Sequence, residues 1–456
     1  MPELSATPQG TFPDSSFDAD AAAATANGST ADVRRNNRRL LFLVEVNRHG
    51  ARSVLGEYEN MENPGHSWPG GKGWLTAVGQ RQHYEVGRII REIYIKQLHF
   101  LSESYKPEEV YVRATEKPRT LMSAQSQMYG IFPNGHGSKL SAVNGRRALL
   151  VGVENLNGKI DIDALEEELA KDDTCALPGC VPSFPVFSAP RHHDPMLRAH
   201  TLDCAYVDGL MEMARESPEY KHYTDFYAKE IQDGAKLYPR ILPDGRPISP
   251  FRTLAGIGSN IKCEETDGRT PMLSGHKHLT NVAKYLSEMR MSLVYGHPAF
   301  ANFAGQYFFS SMADLFEAKA HPDNDKLQDL AYHRLKVTPG MTSAADFWGT
   351  LKFMMFAAHD TTLSYFLRYL EGFSHAPPFA STLFLELWED PRQPSGHFVK
   401  FIYNWKPLKL NWCDYHVECG LDRVIQYWRE KAKMDPVEKR CPDEFPVIYP
   451  QERPMV

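Results

Sequence analysis

Three short apolar runs in this chain each end in a charged turn, and that recurrence sets the first expectation. Residues 41–46, "LFLVEV", have the length and composition of a buried strand and run into Asn47-Arg48-His49-Gly50-Ala51-Arg52. A second strand, within "EEVYVRATEKPRTLMSAQSQMYGIFP", carries Arg113 at its carboxyl end and leads into a helix; a third, in "LKFMMFAAHDTTLSYFLRYLEG", ends in Ala358-His359-Asp360. Between the first two lies a Pro/Gly loop, then Thr76 as a helix N-cap and an amphipathic stretch, "LTAVGQRQHYEVGRIIREIYIKQL". Strand, helix and strand in this order predict an α/β fold, a mostly parallel sheet flanked by helices. Ligands of such sheets sit beyond the carboxyl ends of the strands.

From about residue 155 the pattern changes to polar, Pro-punctuated helical stretches such as "IDIDALEEELAKDD" and "LTNVAKYLSEMRMSLVYG", with few strand signals. Strands return in "STLFLELWED" and "HFVKFIYNW", and "LDRVIQYWREK" closes the pattern as a helix. The expected organisation is a disordered leader over 1–38, a discontinuous α/β core over 39–154 and 346–450, and a smaller, mainly α-helical cap over 155–345. No internal repeat is visible.

Composition narrows the partners. With 51 Lys and Arg against 57 Asp and Glu over 456 residues, the net charge of -6 offers no one-signed field for nucleic acid or an anionic membrane. No apolar run approaches the roughly 18 residues needed to span a bilayer. The leader has no basic n-region, so no signal peptide is read. Seven cysteines include no Cys-x-x-Cys pair, which weakens a zinc or redox reading. Cys175/Cys180 and Cys413/Cys419 are spaced like short-loop disulfides, which would imply an oxidising compartment; scattered reduced cysteines are the alternative, and one cysteine stays unpaired either way.

The strand ends then supply chemistry. Arg48, Arg52 and Arg113 are permanent cations, His49 and His359 imidazoles, and Asp360 a carboxylate, a set suited to phosphoryl transfer. Planar guanidinium forks match phosphate oxygens and offset the charge of the transition state. A histidine nitrogen attacks, and a carboxylic acid protonates the leaving oxygen. Neighbouring arginines should lower the pKa of His49 and keep it nucleophilic in acid. Arg119 is assigned a structural place beside Lys117. "RHHDPMLRAH", residues 191–200, is read as cleft border or surface rather than metal site, because adjacent histidines point apart. His66, His83 and His99 are read as structural.

These blocks resemble the histidine acid phosphatases of the prostatic and lysosomal type. "RHGARS" is similar to their signature, "SWPGGKGWLTAVGQRQHYEVGRIIR" and "VYVRATEKPRTLMSAQSQMYGIFP" to the segments that follow, and "AAHDTTL" with "PPFASTLFLELW" to their fourth block. The resemblance implies a phosphoglycerate mutase-like core, His49 as nucleophile forming a phosphohistidine, Asp360 as proton donor, and Arg48, Arg52, Arg113 and His359 as phosphate ligands. It implies no metal or organic cofactor. It pairs Cys413 with Cys419 and Cys204 with Cys441, offers no counterpart for Cys175–Cys180, and leaves Cys263 as the odd cysteine. It points to a homodimer, and to secretion or a lysosomal or vesicular lumen.

The expected activity is a metal-independent acid phosphatase acting on phosphate monoesters, with phosphoproteins and lipid phosphates among the substrates to consider. A phytase, inositol-polyphosphate or lysophosphatidic acid phosphatase of the same superfamily is the alternative. A catalytically silent phosphate-binding protein is the alternative outside enzymes, and a mutase is disfavoured by chain length and the His-Asp block.

Overall fold

The first apolar run forms β1 (Arg39–Arg48), whose residues from Phe42 to Asn47 are all buried or nearly so, and β1 lies inside the sheet. The computed structural model describes residues 38–156, 158–240, 248–335, 349–372 and 376–442. Residues 1–37, nearly all of the expected leader, lie outside the described residues. Arg38 is described, and it is tied down by ion pairs to Asp390 at 2.9 Å and Glu418 at 2.8 Å.

The main sheet runs in the order β2 (Val110–Ala114), β5 (Phe353–Ala358), β1, β6 (Thr382–Glu389), β7 (His397–Tyr403), β8 (Lys406–Pro407), with β9 (Glu418–Gly420) also paired to β7. β2, β5 and β1 are mutually parallel, as the strand–helix–strand order predicts, while β6 to β9 add an antiparallel extension. A separate ribbon joins β3 (Lys139–Leu140) to β4 (Thr174–Cys175).

Strand pleating sends alternate side chains to opposite faces, and both faces are covered. On one face Leu43, Val112 and Met355 pack against α1 (Ala77–Ile90) and α2 (Pro118–Ile131). Thr76 caps α1 as expected, its side chain accepting from the Gly79 amide. The other face, Phe42, Val44 and Leu385, meets helices both from the expected cap and from the residues after it.

Three helices cover that second face: α6 (Pro298–Ala320), α7 (Asp360–Tyr369) and α8 (Leu421–Met434). α6 is apolar around nearly its whole circumference, which only a helix buried on all sides can sustain. Phe309 stacks on Tyr369 at 4.7 Å between ring centroids, and Phe308 meets Phe366 at 4.4 Å. A third apolar cluster joins α3 (Ala228–Leu237), α4 (Pro250–Thr266) and α5 (Lys277–Arg290) to Val54, Tyr58, Met61 and Trp68 of the loop after β1. Described residues within 155–345 thus contribute to all three clusters: Phe184 to the first face's, α6 to the second face's, and α3 to α5 to their own.

Three cysteine pairs stand at disulfide distance: Cys175–Cys180, Cys204–Cys441 and Cys413–Cys419. Cys263 is buried and free. No described helix is long and apolar enough to cross a membrane.

Candidate active site

The register of the parallel strands brings the site together. Arg48 pairs with Ala358, and Ala114 with Ala357, so the next residues of the three chains, His49, Thr115 and His359, leave the sheet in one layer. The His49 amide donates to the Ala358 carbonyl at 3.1 Å, and the Thr115 amide to the Ala357 carbonyl at 3.0 Å.

Side chains from the flanking helices hold the loop after β1. His83 of α1 lies with Nε2 3.0 Å from the Arg48 carbonyl, which can only accept, so the bond forms when Nε2 carries the proton. Gln82 accepts from the Ala51 amide at 2.8 Å, and Ser123 of α2 accepts from the Gly50 amide at 3.1 Å. Gly50 has no room for a side chain: a Cβ there would stand 2.3 Å from the Gly79 carbonyl oxygen of α1. That close approach explains why glycine follows His49.

The same tautomer argument applies to His49. His49 Nδ1 is 2.8 Å from the Gly50 carbonyl, so Nδ1 bears the proton and the Nε2 lone pair is left for chemistry. Burial pushes the His49 pKa well below its ordinary value, and Arg119, Arg48 and Arg52 push the same way. His359 is likewise held neutral by burial and by Arg119 and Arg198. Its Nε2 rests on the Thr115 hydroxyl at 2.8 Å, its Nδ1 is 3.4 Å from Arg119 Nη2, and its ring centroid is 5.5 Å from that of His49.

Arg48 leans across Phe379, 4.2 Å from the ring centroid, and pairs with Asp360 at 3.0 Å. Arg52 is buried on α4, donating to Ser259 Oγ and Cys263 Sγ, both at 3.1 Å. Asp360 opens α7, with its Oδ1 accepting from the Thr361 amide at 2.9 Å. Burial alone would raise the Asp360 pKa, but Arg48, Arg52 and Arg119 outweigh it and the carboxyl is held below its ordinary value. Thus five of the six residues expected from the sequence, Arg48, His49, Arg52, His359 and Asp360, gather here.

Arg113 does not join them. Its guanidinium is closed into a buried ion pair with Asp194 at 2.5 Å and lies against Met196 Sδ at 3.5 Å. The arginine that reaches His359 is Arg119, assigned to a structural place from the sequence. Pro118 at the first helical position is the signal that could have found it, because side chains of a first turn point back past the helix N-terminus, here toward the strand ends. Burial, with Arg52 next, lowers the Arg119 pKa to about 9, the mark of guanidiniums crowded without enough negative charge. Among the described residues neither Arg52 nor Arg119 has an ion-pair partner. His83, read as structural from the sequence, holds a backbone carbonyl of the loop after β1, a partner that residue spacing does not reveal.

A cavity of about 940 Å³ lies at the other end of β1, lined by Arg39, Leu41, Phe100, Lys319 and Trp388 among others. It contains none of these residues, and the carboxyl ends of the parallel strands remain the place where the candidate groups converge.

Known proteins match the chain along most of its length. Human lysosomal acid phosphatase is 25% identical over 399 residues, 85% of this chain and 77% of that protein. Rat prostatic acid phosphatase is 26% identical over 404 residues, 85% and 86% of the two chains. Among solved structures, Hafnia alvei phytase in complex with myo-inositol hexakis sulphate aligns with a TM-score of 0.56 at 15% identity, covering 88% of this chain and 98% of that one, and Klebsiella sp. ASR1 phytase with 0.54 at 16%, covering 87% and 96%. At those identities the likeness is one of fold. The family model described as histidine phosphatase superfamily (branch 2) matches residues 25–404, and the chain belongs to that family.

Proposed function

We propose that this protein is a metal-independent acid phosphatase that hydrolyses phosphate monoesters in two steps through a phosphohistidine at His49. One observation carries the reading: a neutral histidine with a free Nε2 sits among buried guanidiniums whose only nearby carboxylate partner among the described residues is Asp360. The acid phosphatases among the relatives support the reaction class.

Nε2 of His49 attacks phosphorus in line with the ester oxygen. Arg48, Arg52 and Arg119 hold the three non-bridging oxygens and take up the charge that accumulates on them. The P–O ester bond breaks and Asp360 gives its proton to the leaving alkoxide; its carboxylate then takes a proton from the water that cleaves the N–P bond. By themselves the arginines hold Asp360 ionised. A bound phosphate dianion cancels that field and adds a like charge beside the carboxyl, so substrate binding itself loads the acid with its proton. Arg119 replaces Arg113 in the phosphate-binding set for the geometric reason given above. The three cysteine pairs fit an oxidising location, lysosomal or secreted.

Release of nitrophenol from nitrophenyl phosphate at about pH 5 in excess chelator tests this directly, since the reference pKa values of carboxylates and imidazole bracket that pH. Turnover that survives chelation and disappears in His49→Ala is expected. Asp360→Asn should slow alkyl phosphates by about 100-fold or more and nitrophenyl phosphate far less, because nitrophenolate leaves without a proton. Equal loss on both esters would exclude Asp360 as the acid.

A further inference from the structure

The segment that pairs with Arg113 has a second consequence for the site. Asp194 Oδ1 takes the Arg113 guanidinium at 2.5 Å and the Leu197 amide at 3.1 Å, while its carbonyl takes the Arg198 amide at 2.8 Å. The Leu197 carbonyl accepts from Thr362 Oγ1 at 2.8 Å and Tyr365 Oη at 2.9 Å, both on α7, and His200 Nε2 is 3.4 Å from the Thr361 hydroxyl. Residues 194–200 are therefore pinned on one side to the strand that precedes Arg119 and on the other to the first turns of the helix that Asp360 opens.

Arg198 stands in the middle of this clamp, 94% buried by its 6% exposure, yet among the described residues it has no ion-pair partner. The one carboxylate of its own segment, Asp194, is spent on Arg113, and Glu116 nearby takes Lys117 at 3.3 Å. Its Nε meets only the neutral Thr201 hydroxyl, at 3.5 Å. Burying a guanidinium without a counterion is costly, and in a site built for anions it marks a place for one. Charge matching points the same way. With Asp360 protonated once substrate is bound, Arg48, Arg52 and Arg119 bring three positive charges against the two negative ones of a monoester dianion, and Arg198 adds a further positive charge that the dianion leaves uncancelled. Its field reaches the phosphate site, for it helps depress the pKa of His359 and of Arg119.

We propose that Arg198 is a specificity-determining residue that receives a second anionic group, carboxylate or phosphate, carried on the leaving alcohol of the substrate. The inference rests on the phosphatase reading above and names the substrate class of that site: phosphate monoesters of acidic alcohols. Arg113 and Asp194 are positioning residues for it, since they fix the segment that carries Arg198.

Two ester pairs test the proposal. Glycerol 3-phosphate and 3-phosphoglycerate differ only in a hydroxymethyl group against a carboxylate; propane-1,3-diol monophosphate and bisphosphate carry the comparison to phosphate. The intact protein should show kcat/KM at least about tenfold higher for the more anionic member of one pair or both, as expected for a charge-assisted hydrogen bond. Arg198→Gln should collapse that ratio through KM, and Arg198→Lys should keep much of it. A ratio near one in both pairs for the intact protein would overturn the proposal. So would Arg198→Gln slowing both members of a pair alike, which is the signature of a residue that merely supports its loop. Failure on every ester, nitrophenyl phosphate included, would overturn the phosphatase reading and this proposal with it.

Discussion

Arg113 and Arg119 lie six positions apart in one block, and opposite outcomes are expected from removing them. Arg119 ends beside His359 with no ion-pair partner among the described residues, so Arg119→Ala should lower kcat/KM for nitrophenyl phosphate by about 10²- to 10³-fold, as loss of one transition-state donor does elsewhere. Its effect on the melting temperature should be small, because the change also relieves repulsion with Arg52. Arg113→Met strands the buried Asp194 carboxylate and should cost about 3–5 kcal/mol of stability. Adding Asp194→Asn to it should recover most of that. Thermal melts and steady-state kinetics on the same preparations check both; an Arg113 variant that melts normally yet loses phosphate affinity would return Arg113 to the site. From the sequence the two were indistinguishable in kind, since each is a cation near a strand end. Side-chain direction separated them.

At the scale of elements, the contact between α1 and the loop after β1 matters most. A Cβ on Gly79 would lie 2.1 Å from the Ala51 carbonyl oxygen and 2.7 Å from its amide nitrogen. Gly79→Ala must therefore push the helix away from the loop, at a cost of about 1–3 kcal/mol for overpacking. The same shift withdraws His83 and Gln82 from the Arg48 carbonyl and the Ala51 amide, and a displacement of His49, the proposed nucleophile, by about 1 Å is enough to lose 10²-fold in rate. Loss of kcat in a protein that still melts cooperatively is the expected result. Full activity in Gly79→Ala would mean that the loop holds its shape without the helix. The helix itself was legible in its apolar spacing and in Thr76. The glycine and the two polar residues that read loop peptides were not, because hydrogen bonds to a distant backbone leave no periodicity.

For the whole molecule, stability and pH meet at a buried chain under β1. Gln127 Nε2 donates to Glu45 Oε2 at 2.5 Å, Asn47 Nδ2 to Glu45 Oε1 at 3.1 Å, and the Gln127 amide oxygen faces His83 Nδ1 at 2.9 Å. Burial raises the Glu45 pKa from 4.5 to about 7. The folded state therefore holds this proton where the unfolded chain has lost it, and the contribution of Glu45 to stability is full below the unfolded value and fades as pH rises through about 7. Glu45→Gln removes the titration. The stability of the variant relative to the parent should rise between about pH 5 and pH 8 by up to roughly 3 kcal/mol, and a difference flat with pH would exclude an ionising Glu45. Taking the difference cancels the buried histidines, whose lowered pKa values act oppositely by favouring the fold as pH rises toward 6.5. By itself the sequence determined the strands with their charged ends, His49, His359 and Asp360, the amphipathic helix and its cap, and the family likeness. These follow from local periodicity and from motifs confined to one segment. Only the tertiary structure decided that α6 belongs to the sheet's core, that Arg113 pairs with Asp194 81 positions away while Arg119 stands beside His359, and that Arg52 rests on Cys263 across 211 positions. Partnerships over such distances depend on register and on the direction in which each side chain leaves its helix or strand, and neither is written in the spacing of residues along the chain.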